Sequence, residues 1–238
     1  MQFTYDGYRQ LIDLLKKKGY DFVGYENYQP YPRCVILRHD IDNSIEKAIR
    51  LAELEFELGV HSTYFLLLTS DFYNVASARS QKGIQRIINL KHDIGLHFDE
   101  KRYPNAPTSI VSHIQKEVSL LESFIEYPVR SVSMHRPSPK TLSANYQIPG
   151  IVNSYSKLFF EEFKYLSDSR RRWREPVMDI VAAATFPRLH ILTHAIWYNE
   201  KEQSLSKTLW EFITSANGER YQQEKENITN LESIISTI

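Results

Sequence analysis

The chain is poor in cysteine and carries no excess of charge of either sign. Its 238 residues include one cysteine, Cys34, so no internal disulfide can form, and we expect a small buried residue in a reducing compartment. The 29 basic and 29 acidic side chains give a formal net charge of zero. Nucleic acids and anionic membranes attract proteins with a basic excess, so this balance predicts neither as a partner.

Long hydrophobic runs are also missing. No stretch approaches the roughly 20 apolar residues that cross a bilayer, so we expect no membrane span. The amino terminus lacks an apolar signal core and a small-residue cleavage site, and residues 1–20 show the spacing of an amphipathic helix. Together with the single cysteine, these features predict a cytoplasmic protein.

Apolar strand-like runs alternate with helical patterns along most of the chain. The predicted strands are CVILRHD, STYFLLL, DIGLHF, VRSVSMHRP and RLHILTHAIWY. The predicted helices include SIEKAIRLAELEFELG, GIQRIINLK and SIVSHIQKEVSLLESFIE, the last of which follows a start signal at Pro107 and Thr108. Such alternation predicts an α/β fold with a mainly parallel sheet, open or closed into a barrel, and helices outside it.

Linkers and internal repeats are absent, which predicts a single domain over residues 1–238. Its least regular part is residues 138–186, where we expect long loops. Residues 204–238 show a helical pattern that becomes increasingly polar.

Charged and polar side chains recur where the predicted strands end. They are Asp40, Asp42, His97, Asp99, His135, Arg136 and His194. Because the carboxyl ends of parallel strands lie on one face, we expect these side chains in one cleft. Carboxylate with imidazole is a ligand set for zinc and related divalent metals. The pattern indicates metal-assisted hydrolysis, with a further carboxylate as base, a further histidine as acid and an arginine that keeps the base ionised.

Simpler interpretations exist for several of these positions. Asp42 could cap the helix that begins near Ser44, and His97 could be a hydrogen-bonded core histidine. Residues 170–172, three consecutive arginines, most simply form a solvated loop, although they could clamp a substrate phosphate. The aromatic side chains placed where a sugar could stack are Trp173, Trp197 and Tyr198.

Six segments resemble, in order, the motifs of the polysaccharide deacetylases (carbohydrate esterase family 4, the NodB-homology domain). They are LRHDID, STYFLLLTSDFY, HDIGLHFDE, SMHRPSP, KYLSDSRRRW and LHILTHAIWY, within about residues 34–198. The first is similar to the Arg-His-Asp-x-Asp motif of deacetylase-like proteins from surface-polysaccharide gene clusters. The resemblance implies a distorted (β/α) barrel, a divalent metal and hydrolysis of an N-acetyl group on a sugar.

Carried onto this chain, the resemblance implies a role for each matching residue. Asp40 would be the catalytic base and Asp42 a metal ligand, although the intervening Ile41 leaves these two roles open to exchange. His97 matches the first metal-binding histidine. The remaining implied roles are Arg136 as partner of the base and His194 as general acid. Asp168 and Trp173 match the motif that contacts the substrate and orients the acid.

One metal ligand of the family has no counterpart in this chain. The family's second histidine falls at a position occupied here by Lys101. We expect His135 to complete a site for zinc, because it ends a different strand at the same edge of the sheet. Asp99 is the second choice and His39 the third.

These observations predict a metal-dependent deacetylase that acts on an N-acetylated sugar. In the cytoplasm, the substrate would be a nucleotide-linked or lipid-linked precursor of a surface polysaccharide such as lipopolysaccharide, because the finished polymer lies outside the membrane. One alternative is a hydrolase of another carbon–nitrogen bond, such as that of a cyclic amide. Another is a sugar-binding or assembly protein that has lost both metal and activity. The sequence leaves the oligomeric state open.

Overall fold

The structure is a computed structural model that describes residues 1–104 and 109–235. Pro107 and Thr108, the predicted start signal of a helix, lie outside the described residues. The helix itself begins at Ile110, and the side chain of Ser109 caps it by accepting from the backbone N–H of Ser112.

Strands and helices alternate through the first 200 residues. The strands are β1 (Asp21–Phe22), β2 (Cys34–Ile41), β3 (Thr63–Leu66), β4 (Asp93–Phe98), β5 (Ser131–Met134), β6 (Val152–Asn153), β7 (Lys164–Ser167) and β8 (Arg188–Thr193). The helices are α1 (Tyr5–Lys17), α2 (Ile45–Glu57), α3 (Ala78–Asn89), α4 (Ile110–Ile125), α5 (Pro139–Ala144), α6 (Leu158–Glu161) and α7 (Val177–Ala183), followed by α8 (Leu205–Asn227) and α9 (Leu231–Ile234).

All the strands belong to one parallel sheet. The order across it is β6-β5-β4-β3-β2-β8-β7, and β1 pairs with the start of β2. The sheet curls into a half-barrel with helices on its outer side, which confirms the predicted distorted (β/α) barrel of mainly parallel strands.

The central strand β2 separates two apolar layers. Val35 and Leu37 belong to the large core cluster that also contains the buried faces of α1 and α2. Cys34 and Ile36 belong to a second cluster, together with Phe65 of β3. Because side chains alternate along a strand, the even-numbered residues of β2 face the inside of the curl, which is the side on which Arg38 and Asp40 follow.

A glycine in β4 makes room for the interior of the curl. A Cβ atom on Gly95 would lie 2.4 Å from the ring of Phe65 and 2.9 Å from the hydroxyl of Ser131. Gly95 therefore lets the Phe65 ring lie across β4, and the guanidinium of Arg38 is 5.4 Å from the centre of that ring.

The structure corrects the prediction for residues 138–186. This stretch was expected to form long loops, but it contains α5, β6, α6, β7 and α7. The strand β7 pairs with β8 over four residues, from Lys164–Leu189 to Ser167–Leu192. Elements this short have little periodicity of their own and depend on pairing with distant parts of the chain.

The chain divides into two compact units, Met1–Glu200 and Lys201–Ile238. The helices α1 and α8 occupy the predicted helical ends, as far as these are described. Among the described residues, no helix combines the length and hydropathy that crossing a bilayer requires. That residues 1–238 behave as one domain stays a prediction.

Candidate active site

Five of the predicted site residues meet at the carboxyl ends of four strands. Asp40 lies near the end of β2 and Asp42 directly after that strand. His97 lies on β4, His135 follows β5, and His194 follows β8. Each has a polar atom within 3.9 Å of another member of the group, so the predicted proximity of Asp42 and His97 is confirmed.

Three of these side chains converge on one point. Oδ1 of Asp42 is 3.1 Å from Nε2 of His97 and 3.3 Å from Nδ1 of His135. The two ring nitrogens are 3.1 Å apart. Burial raises the pKa of a carboxyl group, but the His135 and His97 rings outweigh this effect and hold the pKa of Asp42 well below its usual range.

Asp42, His97 and His135, called the triad below, are spaced as the ligands of a metal ion are. Two ligands of one tetrahedral zinc ion, bonded at about 2.0–2.1 Å, lie about 3.3 Å apart. Oδ1 of Asp42 is buried, yet it makes no well-directed hydrogen bond to any described residue. An ion between the three atoms would satisfy this oxygen, and one carboxylate with two imidazoles is a donor set that suits zinc.

The strand β5 determines how the two histidines are oriented. Ser133 pairs with His97 across the β4–β5 ladder, and its hydroxyl lies 2.5 Å from Nδ1 of His97. The other ring nitrogen of His97, Nε2, therefore faces Asp42 and His135. His135 continues the ladder, since its backbone N–H donates to the carbonyl of Phe98 at 2.8 Å. Because His135 stands two residues after Ser133 in the ladder, its side chain points to the same face of the sheet as that of Ser133.

The predicted partner of the base is corrected. Arg136 was expected to pair with Asp40, but its backbone turns into the left-handed region at φ 50° and its guanidinium donates to Asp99. Arg38 pairs with Asp40 instead, through two hydrogen bonds of 2.8 Å each. Burial raises the pKa of Asp40, but the adjacent Arg38 guanidinium outweighs it and the pKa is lowered.

His194 is held by Asp168. One carboxylate oxygen of Asp168 is 2.7 Å from Nδ1 of His194, and the other accepts from the His194 backbone N–H at 3.1 Å. The phenol of Tyr198 donates to the same carboxylate at 3.2 Å. Burial lowers the pKa of an imidazole, but Asp168 outweighs it and raises the pKa of His194 to about 9. Nε2 of His194 faces the site, 3.9 Å from Oδ2 of Asp42.

The other candidates for the third ligand lie elsewhere. The ring of His39 points to the outer side of β2, where its nitrogens lie 2.9 Å from Glu55 and 2.6 Å from the hydroxyl of Thr193. Asp99 caps a short 3₁₀ turn by accepting from the backbone N–H of Lys101 and also pairs with Arg136. The Lys101 side chain is exposed on that turn.

The predicted substrate contacts have mixed outcomes. Tyr198 is fully buried, so its expected role as a stacking platform is replaced by the hydrogen bond to Asp168. Trp197 lies near His194, with ring centres 6.4 Å apart. Trp173 packs against the main core, and its role as a substrate contact stays a prediction. In the arginine loop, the guanidinium of Arg171 lies 5.0 Å from the centre of the Phe3 ring.

Sequence reasoning missed the roles of three residues that organise the site. Arg38 orients Asp40, Ser133 orients His97, and Tyr198 supports Asp168. A signal was present for the first, because residues two apart on a strand face the same side and Arg38 stands two before Asp40.

A cleft of about 370 Å³ lies at the opposite edge of the sheet. Thr63, Asp93 and Ser131, which begin β3, β4 and β5, contribute to its wall. Asp42, His97 and His135 lie at the carboxyl ends of β2, β4 and β5, so this cleft is separate from the candidate active site.

Comparison with known proteins gives matches only among solved structures. No protein-family model matches the chain, and neither does a curated protein. A CE4 family pseudoenzyme from Bacillus anthracis is 18% identical over 82% of this chain, with a TM-score of 0.43, and this chain spans only 62% of that protein. A family 4 acetyl xylan esterase from Clostridium thermocellum, in complex with a cobalt ion, is 14% identical over 76% of this chain and 82% of its own, with a TM-score of 0.44.

A third similar structure is the deacetylase PplD of Streptococcus pyogenes in complex with acetate. It is 13% identical over 79% of this chain and 80% of its own, with a TM-score of 0.46. At such identities, the case for a function depends on the residues of this chain.

Proposed function

We propose that the protein is a metal-dependent hydrolase that removes an N-acetyl group from a sugar. The observation that carries the proposal is the convergence of Asp42, His97 and His135 on one point, with a carboxylate and a histidine beside it. Three ligands leave a fourth position open for a reacting molecule, which is the arrangement of catalytic rather than structural zinc sites.

The proposed roles follow from the groups around the triad. A divalent metal, with zinc preferred, acts when bound as a Lewis acid toward a carbonyl oxygen and a water molecule. Asp40 is the general base that takes a proton from the attacking water, since its Oδ2 lies 3.6 Å from Nε2 of His97 at the edge of the triad. Arg38 favours the ionised carboxylate that this role requires.

His194 is the proposed general acid. Asp168 occupies its Nδ1 side, so Nε2 is the atom that can deliver a proton into the site. As the carbon–nitrogen bond breaks, this proton goes to the departing nitrogen, and the products are acetate and a free amine. The raised pKa of His194 favours the protonated form that the step needs at neutral pH.

The order of the six sequence motifs supports membership of the polysaccharide deacetylase family, with one change in the metal site. In this chain the third ligand would come from His135 after β5, and the position of the family's second histidine is the exposed Lys101. Asp168 orients the acid, and Trp173 remains a candidate for a contact to the substrate.

We further propose a cytoplasmic protein whose substrate is a nucleotide-linked or lipid-linked precursor of a surface polysaccharide. The buried, unpaired Cys34 fits a reducing compartment. Finished polymer lies outside the membrane, so a cytoplasmic enzyme would act on its precursors.

The test combines metal analysis with an acetate-release assay on N-acetylated sugars, free and nucleotide-linked. The wild-type protein should bind close to one zinc ion and release acetate, whereas Asp42→Ala should do neither. Asp13→Ala, which removes an exposed carboxylate on α1, is the matched control and should behave as wild type. A wild-type protein that takes up no metal would support a sugar-binding or assembly protein instead. A loaded protein that opens cyclic amides but releases no acetate would support the other hydrolase.

A further inference from the structure

Arg38 and Asp40 form a two-point ion pair on β2. Nε of Arg38 donates to Oδ1 of Asp40 and Nη2 donates to Oδ2, each at 2.8 Å, so both carboxylate oxygens are engaged. Arg38 is 0% exposed and Asp40 5%. Burying two charges has a large desolvation cost, so the pair is not explained by stability alone.

Aromatic rings restrict the guanidinium of Arg38. Its central carbon lies 4.8 Å from the centre of the Tyr155 ring and 5.4 Å from the centre of the Phe65 ring. With two aromatic rings and the Asp40 carboxylate against it, the guanidinium has little freedom to turn. The planar fork therefore holds the carboxylate in one orientation.

Asp40 is a further carboxylate beside the triad. Its Oδ2 is 3.6 Å from Nε2 of His97, only slightly more than the separation of about 3.3 Å between two ligands of one tetrahedral ion. Rotation of an unrestrained Asp40 side chain toward the triad would bring a fourth protein ligand to the ion. Such a closed site is typical of structural zinc, whereas a catalytic site keeps one position open.

We propose that Arg38 is a positioning residue that keeps Asp40 out of the metal's coordination sphere and so leaves one coordination position open. This inference rests on the proposed function, because it requires a metal at Asp42, His97 and His135. It depends on the fork of the guanidinium and not on charge alone. A lysine at this position would carry the same charge but could not form the two parallel hydrogen bonds to the Asp40 carboxylate.

The test is a Co²⁺ titration of the metal-free protein, followed by visible absorption and then by addition of acetohydroxamate, which binds an open coordination position. We expect the wild type to respond to acetohydroxamate. Arg38→Lys and Arg38→Gln should bind Co²⁺ at least about tenfold more tightly, through the added carboxylate, and should lose the response. In the double variant Arg38→Gln, Asp40→Asn, affinity and response should return close to those of the wild type.

Several outcomes would overturn the inference. Wild-type affinity and an intact acetohydroxamate response in Arg38→Lys would show that the fork is not needed. Arg38→Lys keeps a charge beside Asp40 and carries the test if Arg38→Gln does not fold. A crystal structure of the zinc-loaded wild type is a check independent of any variant, and Asp40 bound to the ion there would contradict the inference. A wild type that binds no Co²⁺ would instead refute the proposed function itself.

Discussion

At the scale of single residues, the direction of His135 depends on its neighbours in β5. Ser133 faces the inside of the curl, where its hydroxyl lies 2.5 Å from Nδ1 of His97, and His135 follows two residues later on the same face. Its Nδ1 lies 3.3 Å from Asp42, which makes it the best-placed third ligand.

His135→Ala should lower zinc affinity by more than about a hundredfold, because it removes a direct ligand, and changes to residues that merely support ligands already reach that size. Competition titration with a chromophoric chelator measures the affinity. The control is Asp99→Ala, since Asp99 is engaged with Lys101 and Arg136 away from the triad. Full zinc occupancy in the His135 variant would exclude it as a ligand.

A second prediction at this scale concerns His194, whose ring is turned by Asp168 so that Nε2 faces the site. His194→Ala should keep its metal but lose turnover by a factor on the order of 10², as expected when a general acid is removed. Acetate release and metal content are measured on the same preparation. If metal content falls while turnover per bound metal is unchanged, His194 is a ligand and not the acid.

At the scale of elements, Glu55 of α2 connects helices α1 and α2 to strands β2 and β3 through hydrogen bonds on the outer side of the sheet. Its carboxylate accepts from the phenols of Tyr8 on α1 at 2.6 Å and Tyr64 on β3 at 2.7 Å, and from Ser62 at 2.7 Å. Nε2 of His39 on β2 is 2.9 Å away. Burial raises the pKa of a carboxyl group, but His39 and the hydrogen bonds outweigh it and lower the pKa of Glu55 to about 2.

This network should make the fold sensitive to acid. Because the folded-state pKa of Glu55 is below its ordinary value of 4.5, the stabilisation is present above that pH and is lost as the pH falls toward about 2. A shift of this size corresponds to a contribution on the order of 3 kcal/mol.

Urea unfolding between pH 6 and pH 3 measures this contribution. Glu55→Gln should be less stable at pH 6, and its free energy of unfolding should fall less steeply than that of the wild type below about pH 4.5. Glu57→Gln, two residues along α2 and exposed, is the matched control with the wild-type slope. Equal slopes for Glu55→Gln and the wild type would show that the network does not lower this pKa.

At the scale of the whole molecule, the triad joins the ends of three strands, β2, β4 and β5, that are far apart in the chain. An ion bound there would hold these ends together in the folded state only. By linkage, free zinc at one hundred times its dissociation constant should stabilise the fold by about 2.7 kcal/mol.

Thermal unfolding with and without zinc measures this effect, and the midpoint of the wild type should rise. His97→Ala is the control, because it removes one of the three ligands, and its midpoint should not respond to zinc at the same concentration. A rise of the same size in both proteins would place the binding site elsewhere.

Much of the fold could be predicted from local pattern. The apolar runs of β2, β3, β4, β5 and β8 are long enough to show that they are strands, and helical spacing identifies α1, α2 and α4. The same reasoning failed for residues 138–186, because β6 has two residues and β7 is not part of a longer apolar run, so both depend on their neighbours in the sheet.

The rule that parallel strands end on one face brings Asp40, Asp42, His97, His135 and His194 together from the sequence alone, and it also predicted Asp99 and Arg136 there, which pair with each other instead. Only the tertiary structure decided how these residues are paired. The Arg136 backbone has φ 50°, and its side chain pairs with Asp99. Arg38 pairs with Asp40 instead, because side chains two residues apart on β2 lie on the same face. Such pairings depend on a single backbone angle or on packing between distant strands, and neither leaves a periodic signal in the chain.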